Sequence, residues 1–170
     1  MTITIRQATQ YLAEALRQMP NLTPNGHGLY DQRGRRAKDR AAKKTAAEIE
    51  EREKAELANE TAEMSQHIGE VVLAAEWLQD IAGGARVNTK HTSYGYKHMV
   101  ERWQRARASA HDRHYVSNGA FIAAAIGMGF KFKAETDNLN VQFNIPEAAV
   151  KKREREASPE LKPARRPRYA

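Results

Sequence analysis

Apolar side chains are spread unevenly along this chain, and that unevenness limits the fold more than any other feature. Large apolar and aromatic residues gather between Ile68 and Ile145, whereas charge concentrates around 33–63 and 151–168. About half of the 170 residues can therefore supply a core. A unit of that size folds alone, with little stability to spare.

Inside the apolar half the spacing changes twice. Met64, Ile68, Val71, Val72, Ala75 and Leu78, with Trp77 alongside, recur at helical intervals and predict a helix over 64–82 that stops at Gly83-Gly84. A short extended piece, 85–88, follows. Thr92 or Ser93 is a fitting N-cap for a second helix to about 107, with Tyr96, Met99, Val100 and Trp103 as its buried stripe. Ser117-Asn118 caps a third helix, 117–128, built on Phe121, Ile122, Ala125, Ile126 and Met128 and filled elsewhere with alanine. Phe130 and Phe132, then Val141, Phe143 and Ile145, alternate with polar residues around a 135–140 turn, the pattern of a β-hairpin.

The flanks differ in kind. Ile5, Ala8, Leu12, Ala15, Leu16 and Met19 form a short amphipathic helix closed by Pro20; it must dock on the main domain or on a partner, because so short a helix is marginal alone. Residues 21–34 have the Pro, Gly and Asn content of a loop. From Arg35 to Glu63 nearly every residue is a good helix former, and Ile49 and Leu57 are the only large apolar ones, so a coiled coil is not supported. Bases precede acids along this stretch, the reverse of what a helix dipole favours. Such a helix frays, or a partner completes it by bringing negative charge to its first turns. It reads either as a solvated spacer or as an arm that touches phosphate. After Pro146 the chain is charged and proline-rich, which predicts a mobile basic tail over 147–170. The expected organisation is thus an N-terminal helix and loop (1–34), a charged helical arm (35–63), a helical core with a hairpin (64–146) and the tail.

Few chemistries fit. The absence of cysteine excludes disulfides, thiolate zinc sites and a cysteine nucleophile. His111 and His114 have weak HxxH spacing in an arginine-rich loop that repels cations, so neither a metal nor another cofactor is expected. No carboxylate pair sits in an apolar setting suited to acid–base work, and no enzyme is expected. Nothing reaches the roughly 18 apolar residues of a membrane span, and Arg6, Gln7, Gln10, Glu14 and Arg17 interrupt the N-terminus as no signal peptide would allow. A cytoplasmic protein is the expectation, in the host cell if a phage encodes it.

The net charge of +7 favours a polyanionic partner. Helix, extended piece, helix, helix and hairpin is the element order of a winged-helix domain, and the expected fold is mainly α with one hairpin, winged-helix-like in its C-terminal half. In such domains the third helix and the hairpin loop face DNA. Ser117 and Asn118 would offer backbone amides at a helix end, and Lys97, Arg102, Arg105, Arg107, Arg113 and Lys131 would surround it. Arg33, Arg35, Arg36, Lys38, Arg40, Lys43 and Lys44 on the arm, with Arg165, Arg166 and Arg168 in the tail, complete the candidate nucleic-acid contacts. The third helix has no Arg, Lys or Gln to read bases, so its small residues would instead admit a DNA backbone or another protein. Glu135 and Asp137 make the hairpin loop acidic, against a simple wing contact. Tyr96 belongs to the buried stripe, and Tyr94 is open to base stacking.

SYGYKHMVE at 93–101, YVSNGAFIAAAIGMGF at 115–130 and FNI at 143–145 resemble a pattern in small phage and mobile-element proteins to which no activity attaches. The resemblance covers the C-terminal half and implies a phage or mobile-element origin. Three functional classes follow: a nucleic-acid binder, with DNA foremost; a factor that docks on and inhibits a host or defence protein complex; and a virion or assembly component.

Overall fold

A computed structural model describes residues 2–107, 114–135 and 138–158. The fold is mainly helical, with one antiparallel hairpin and a second, very short ribbon.

The centre is α6 (Asn118–Gly127), buried at every position from Asn118 to Ile126. Its sequence explains the placement. Alanine and glycine keep the cylinder thin, so neighbouring backbones approach closely, while Phe121, Ile122 and Ile126 fill the gaps. Around it pack α1 (Ile5–Gln18), α4 (Ile68–Leu78) and α5 (Ser93–Arg105). Two of its glycines mark close approaches: a Cβ on Gly127 would overlap Tyr11 of α1, and one on Gly119 would overlap the carbonyl oxygen of Thr23. The rings of Trp77, Tyr96, Phe121 and Phe143 meet in sequence at centroid distances of 6.1, 5.4 and 5.9 Å. A fully buried phenylalanine such as Phe121 or Phe143 contributes about 1.5–3 kcal/mol.

The hairpin pairs β3 (Phe132–Ala134) with β4 (Val141–Phe143), Phe132 opposite Phe143. The piece after α4 runs beside β4, with Gly84 N donating to Asn144 O (2.6 Å) and Asn88 N to Phe143 O (2.8 Å). The loop after α1 folds into a ribbon of β1 (Leu22–Thr23) and β2 (Gly26–His27).

Two expectations are corrected. The stretch from 35 to 63 is not one helix but two, α2 (Gln32–Ala41) and α3 (Ala46–Glu63), parted where Lys43 takes a left-handed φ of 58°. Thr45 and Glu48 form a capping box that starts α3, which a continuous helix would forgo. The split also resolves the dipole conflict, since Lys38 and Arg40 now end one helix and Glu48 opens the next. The first residues after Pro146 are not a loose tail but α7 (Glu147–Ala157). Val150 anchors it in the core, and the Arg153 guanidinium donates to the carbonyls of Trp77 (2.9 Å) and Gln79 (2.5 Å), beyond which α4 does not continue. The helix ends at Leu78, short of Gly83, because Gln79 turns extended with ψ 139° and Asp80 takes a left-handed φ of 65°. Of the two placements expected for α1, the main domain is the one taken: Ala8, Leu12 and Ala15 lie in the same core cluster as α6.

Candidate nucleic-acid interface

Part of the basic arm has found its own counter-charges. α2 and α3 run antiparallel, and their side chains meet as a ladder. Arg35 pairs with Glu56, and Arg36 grips Glu53 through two bonds of 2.7 Å. Arg52 lies 2.9 Å from Asp39 and 2.7 Å from Glu56, and Lys44 reaches Asp39 at 2.8 Å. The Arg36 bonds hold the Glu53 carboxyl below its ordinary value, and the Lys44 bond does the same for Asp39. Arg35, Arg36 and Lys44 are therefore engaged within the protein. The completing negative charge expected from a partner comes instead from α3. Arg33 is exposed on the first turn of α2. Lys38, Arg40 and Lys43 are exposed without a carboxylate partner among the described residues.

The helix end expected to receive phosphate is closed. Ser117 caps α6 through Ala120 N, yet its own amide donates to the Glu70 carboxylate of α4 at 2.7 Å. The neighbouring Val116 N donates to Glu101 of α5 at 3.2 Å, and Gly119 N to Pro24 O at 3.0 Å. The Asn118 amide donates to the carbonyls of Asn25 and Leu139. Ser117 and Asn118 are thus buried and out of reach of phosphate, contrary to the sequence expectation. The partner that the small residues of α6 admit is α1 of the same chain. α6 reaches no groove.

Lys97 is withdrawn too. It is 5% exposed and bonded to Glu101 at 3.1 Å, with its ammonium over the rings of Tyr94 (5.2 Å) and Tyr115 (4.9 Å). Lys131 is exposed at the foot of β3. Arg113, Arg165, Arg166 and Arg168 lie outside the described residues.

What remains is one edge, where α5 meets α7. Arg102 and Arg105 are exposed on α5, and Arg107 just beyond it stacks on Trp103 at 4.4 Å. From α7 come Lys151, Lys152 and Arg155, all exposed. A cleft of about 490 Å³ between the two helices is walled by Arg102, Lys151, Arg155 and Glu154. Glu154 approaches Arg102 only to 4.0 Å. The two helices are tied together where the Trp103 indole donates to Glu156 (2.9 Å) and Arg153 lies over the same ring at 5.1 Å. Sequence reasoning missed Lys151, Lys152 and Arg155, which vanished into an undifferentiated charge run. The signal was their spacing, which sets Lys151 and Arg155 one turn apart beside an isolated valine.

Among the described residues no three His, Asp or Glu side chains converge as a metal site, and no helix is long and apolar enough to cross a membrane. No family model, no curated protein and no solved structure matches this chain.

Proposed function

We propose that the protein binds nucleic acid through phosphate contacts along the α5/α7 edge. One observation carries this reading: Arg35, Arg36 and Lys44 of the arm are bound to its own carboxylates, whereas Arg102, Lys151 and Arg155 wall one cleft in which Glu154 comes no nearer to Arg102 than 4.0 Å, and Arg105 and Lys152 lie exposed on the same two helices. The sequence adds Lys162, Arg165, Arg166 and Arg168 beyond that edge, against the single acid Glu160. Backbone contacts of this kind position a ligand without reading its sequence. The winged-helix-like order of α4, α5, α6 and hairpin belongs to this reading as a scaffold, with α6 as the core rather than the reader. The resemblance over 93–145 implies an origin in a phage or mobile element, and with it action in the host cytoplasm.

Salt titration of binding tests the proposal. Each phosphate contacted steepens the fall of log K with log salt by about 0.9 on a duplex and about 0.7 on a single strand. Replacing Arg102, Arg105, Lys151 and Lys152 by alanine should flatten that slope by roughly 3 to 4 and weaken binding at every sequence alike. Replacing Lys38, Arg40 and Lys43 should leave most of it. The reverse result would return the interface to the arm.

A second reading, a factor that docks on a host or defence protein, is favoured by a mostly apolar cleft between α1 and α3 lined by Leu12, Leu16, Leu57, Ala58 and Ala62. Capture from host lysate separates the two: nuclease treatment abolishes recovery of partners bridged by nucleic acid and leaves a protein complex intact.

A further inference from the structure

We infer that the nucleic acid bound at this edge is a single strand, whose bases stack on Tyr94 and Tyr115 while its phosphates follow Arg102 and Arg105. The inference rests on the phosphate-binding reading above and adds the class of ligand.

Four side chains at helical spacing form one stripe on α5: Tyr94, His98, Arg102 and Arg105. At 1.5 Å per residue the stripe is about 16 Å long, aromatic at one end and cationic at the other. Tyr94 is 52% exposed and Tyr115, from the strand entering α6, is 62% exposed. They are two of the four large hydrophobic side chains that the described residues leave in solvent. Both rings converge on one buried ammonium, that of Lys97, and the His98 ring meets Tyr94 edge-on at 4.7 Å. Glu101 balances Lys97 and His98 from beneath, at 3.1 and 2.8 Å. The tyrosines are therefore held in place before any ligand arrives, so little side-chain freedom is lost on binding.

A duplex hides its base faces inside the stack and would meet these rings only with sugar and phosphate. A single strand presents a π-face at every base, and cations beside aromatic rings are what such strands require. Charge alone favours the duplex, which carries the denser phosphates. Aromatic exposure beside the cations reverses that preference.

The test compares labelled oligo(dT), oligo(U) and a duplex of equal length, about 20 units, against the full chain by fluorescence anisotropy. The expected result is tighter binding of the single strands, with Tyr94→Ala plus Tyr115→Ala lowering that affinity roughly tenfold or more while duplex binding stays unchanged. Tyr94→Phe plus Tyr115→Phe, which keeps both faces, should bind as the wild type does. Tighter binding of dT or of U assigns the strand to DNA or RNA. Equal or stronger duplex binding by the wild type overturns the stacking inference, even if the alanine variant proves misfolded. In that case Arg102 and Arg105 would still govern a salt-sensitive affinity, and the phosphate reading would stand. Loss of salt-sensitive binding to every probe overturns both.

Discussion

Two helix pairs in this molecule are held by opposite means. α1 and α6 meet through alanine and glycine, with backbones in near contact and no ion pair, since α6 carries no ionisable side chain. α2 and α3 meet through arginine, lysine, glutamate and aspartate, with Ile49 as the one large apolar side chain buried there. The first pair depends on burial, which neither salt nor pH alters much. The second depends on charges near solvent, each worth about 1 kcal/mol or less and screened by salt. The arm should therefore open while the core stays closed.

The contrast breaks most readily at its strongest point. Phe121→Ala, which empties the centre of the aromatic cluster, should cost about 3–5 kcal/mol by urea unfolding. A loss below 1 kcal/mol would mean that α6 is not the hub. Gly127→Ala forces a methyl group onto the Tyr11 backbone and should cost about 1–3 kcal/mol. Gly69→Ala is its control: no atom lies within 4 Å of the added methyl, so helix propensity should make that variant more stable by about 0.5–1 kcal/mol. If both glycine variants behave alike, close approach is not what holds α1.

On the charged side, Glu53→Gln should lower stability by about 1 kcal/mol or less, yet speed amide exchange throughout α2 and leave α6 untouched. Exchange that rises equally in both helices would deny the arm its independence. Acid should act in the same direction with the smallest global effect. Glu53 titrates below its ordinary 4.5 and Asp39 below its ordinary 3.8, so their stabilisation is present above those values and disappears as pH falls through the lower folded-state ones. NMR shifts of α2 and α3 should report this loss before α6 responds.

The sequence carried most of the apolar architecture. Period and alternation located α1, α4, α5, α6 and the hairpin, because each buries a face whose spacing is a direct consequence of geometry. The break between α2 and α3 was harder to see. Every residue there favours helix, and only Thr45 with Glu48 three residues on recorded the start of a new one. α7 was hidden by composition, since its docking rests on one valine and on an arginine that seeks distant carbonyls. The candidate site was legible only in part. Spacing put Tyr96 inside and left Tyr94 open, but cation lists cannot reveal which charges the chain will neutralise for itself. That depends on which helix folds back on which.

The clamp at the start of α6 has a further consequence. Val116 and Ser117 present consecutive amides, and each is taken by a carboxylate from a different helix, Glu101 from α5 and Glu70 from α4. Whatever enters from upstream arrives at a landing already fixed on two sides.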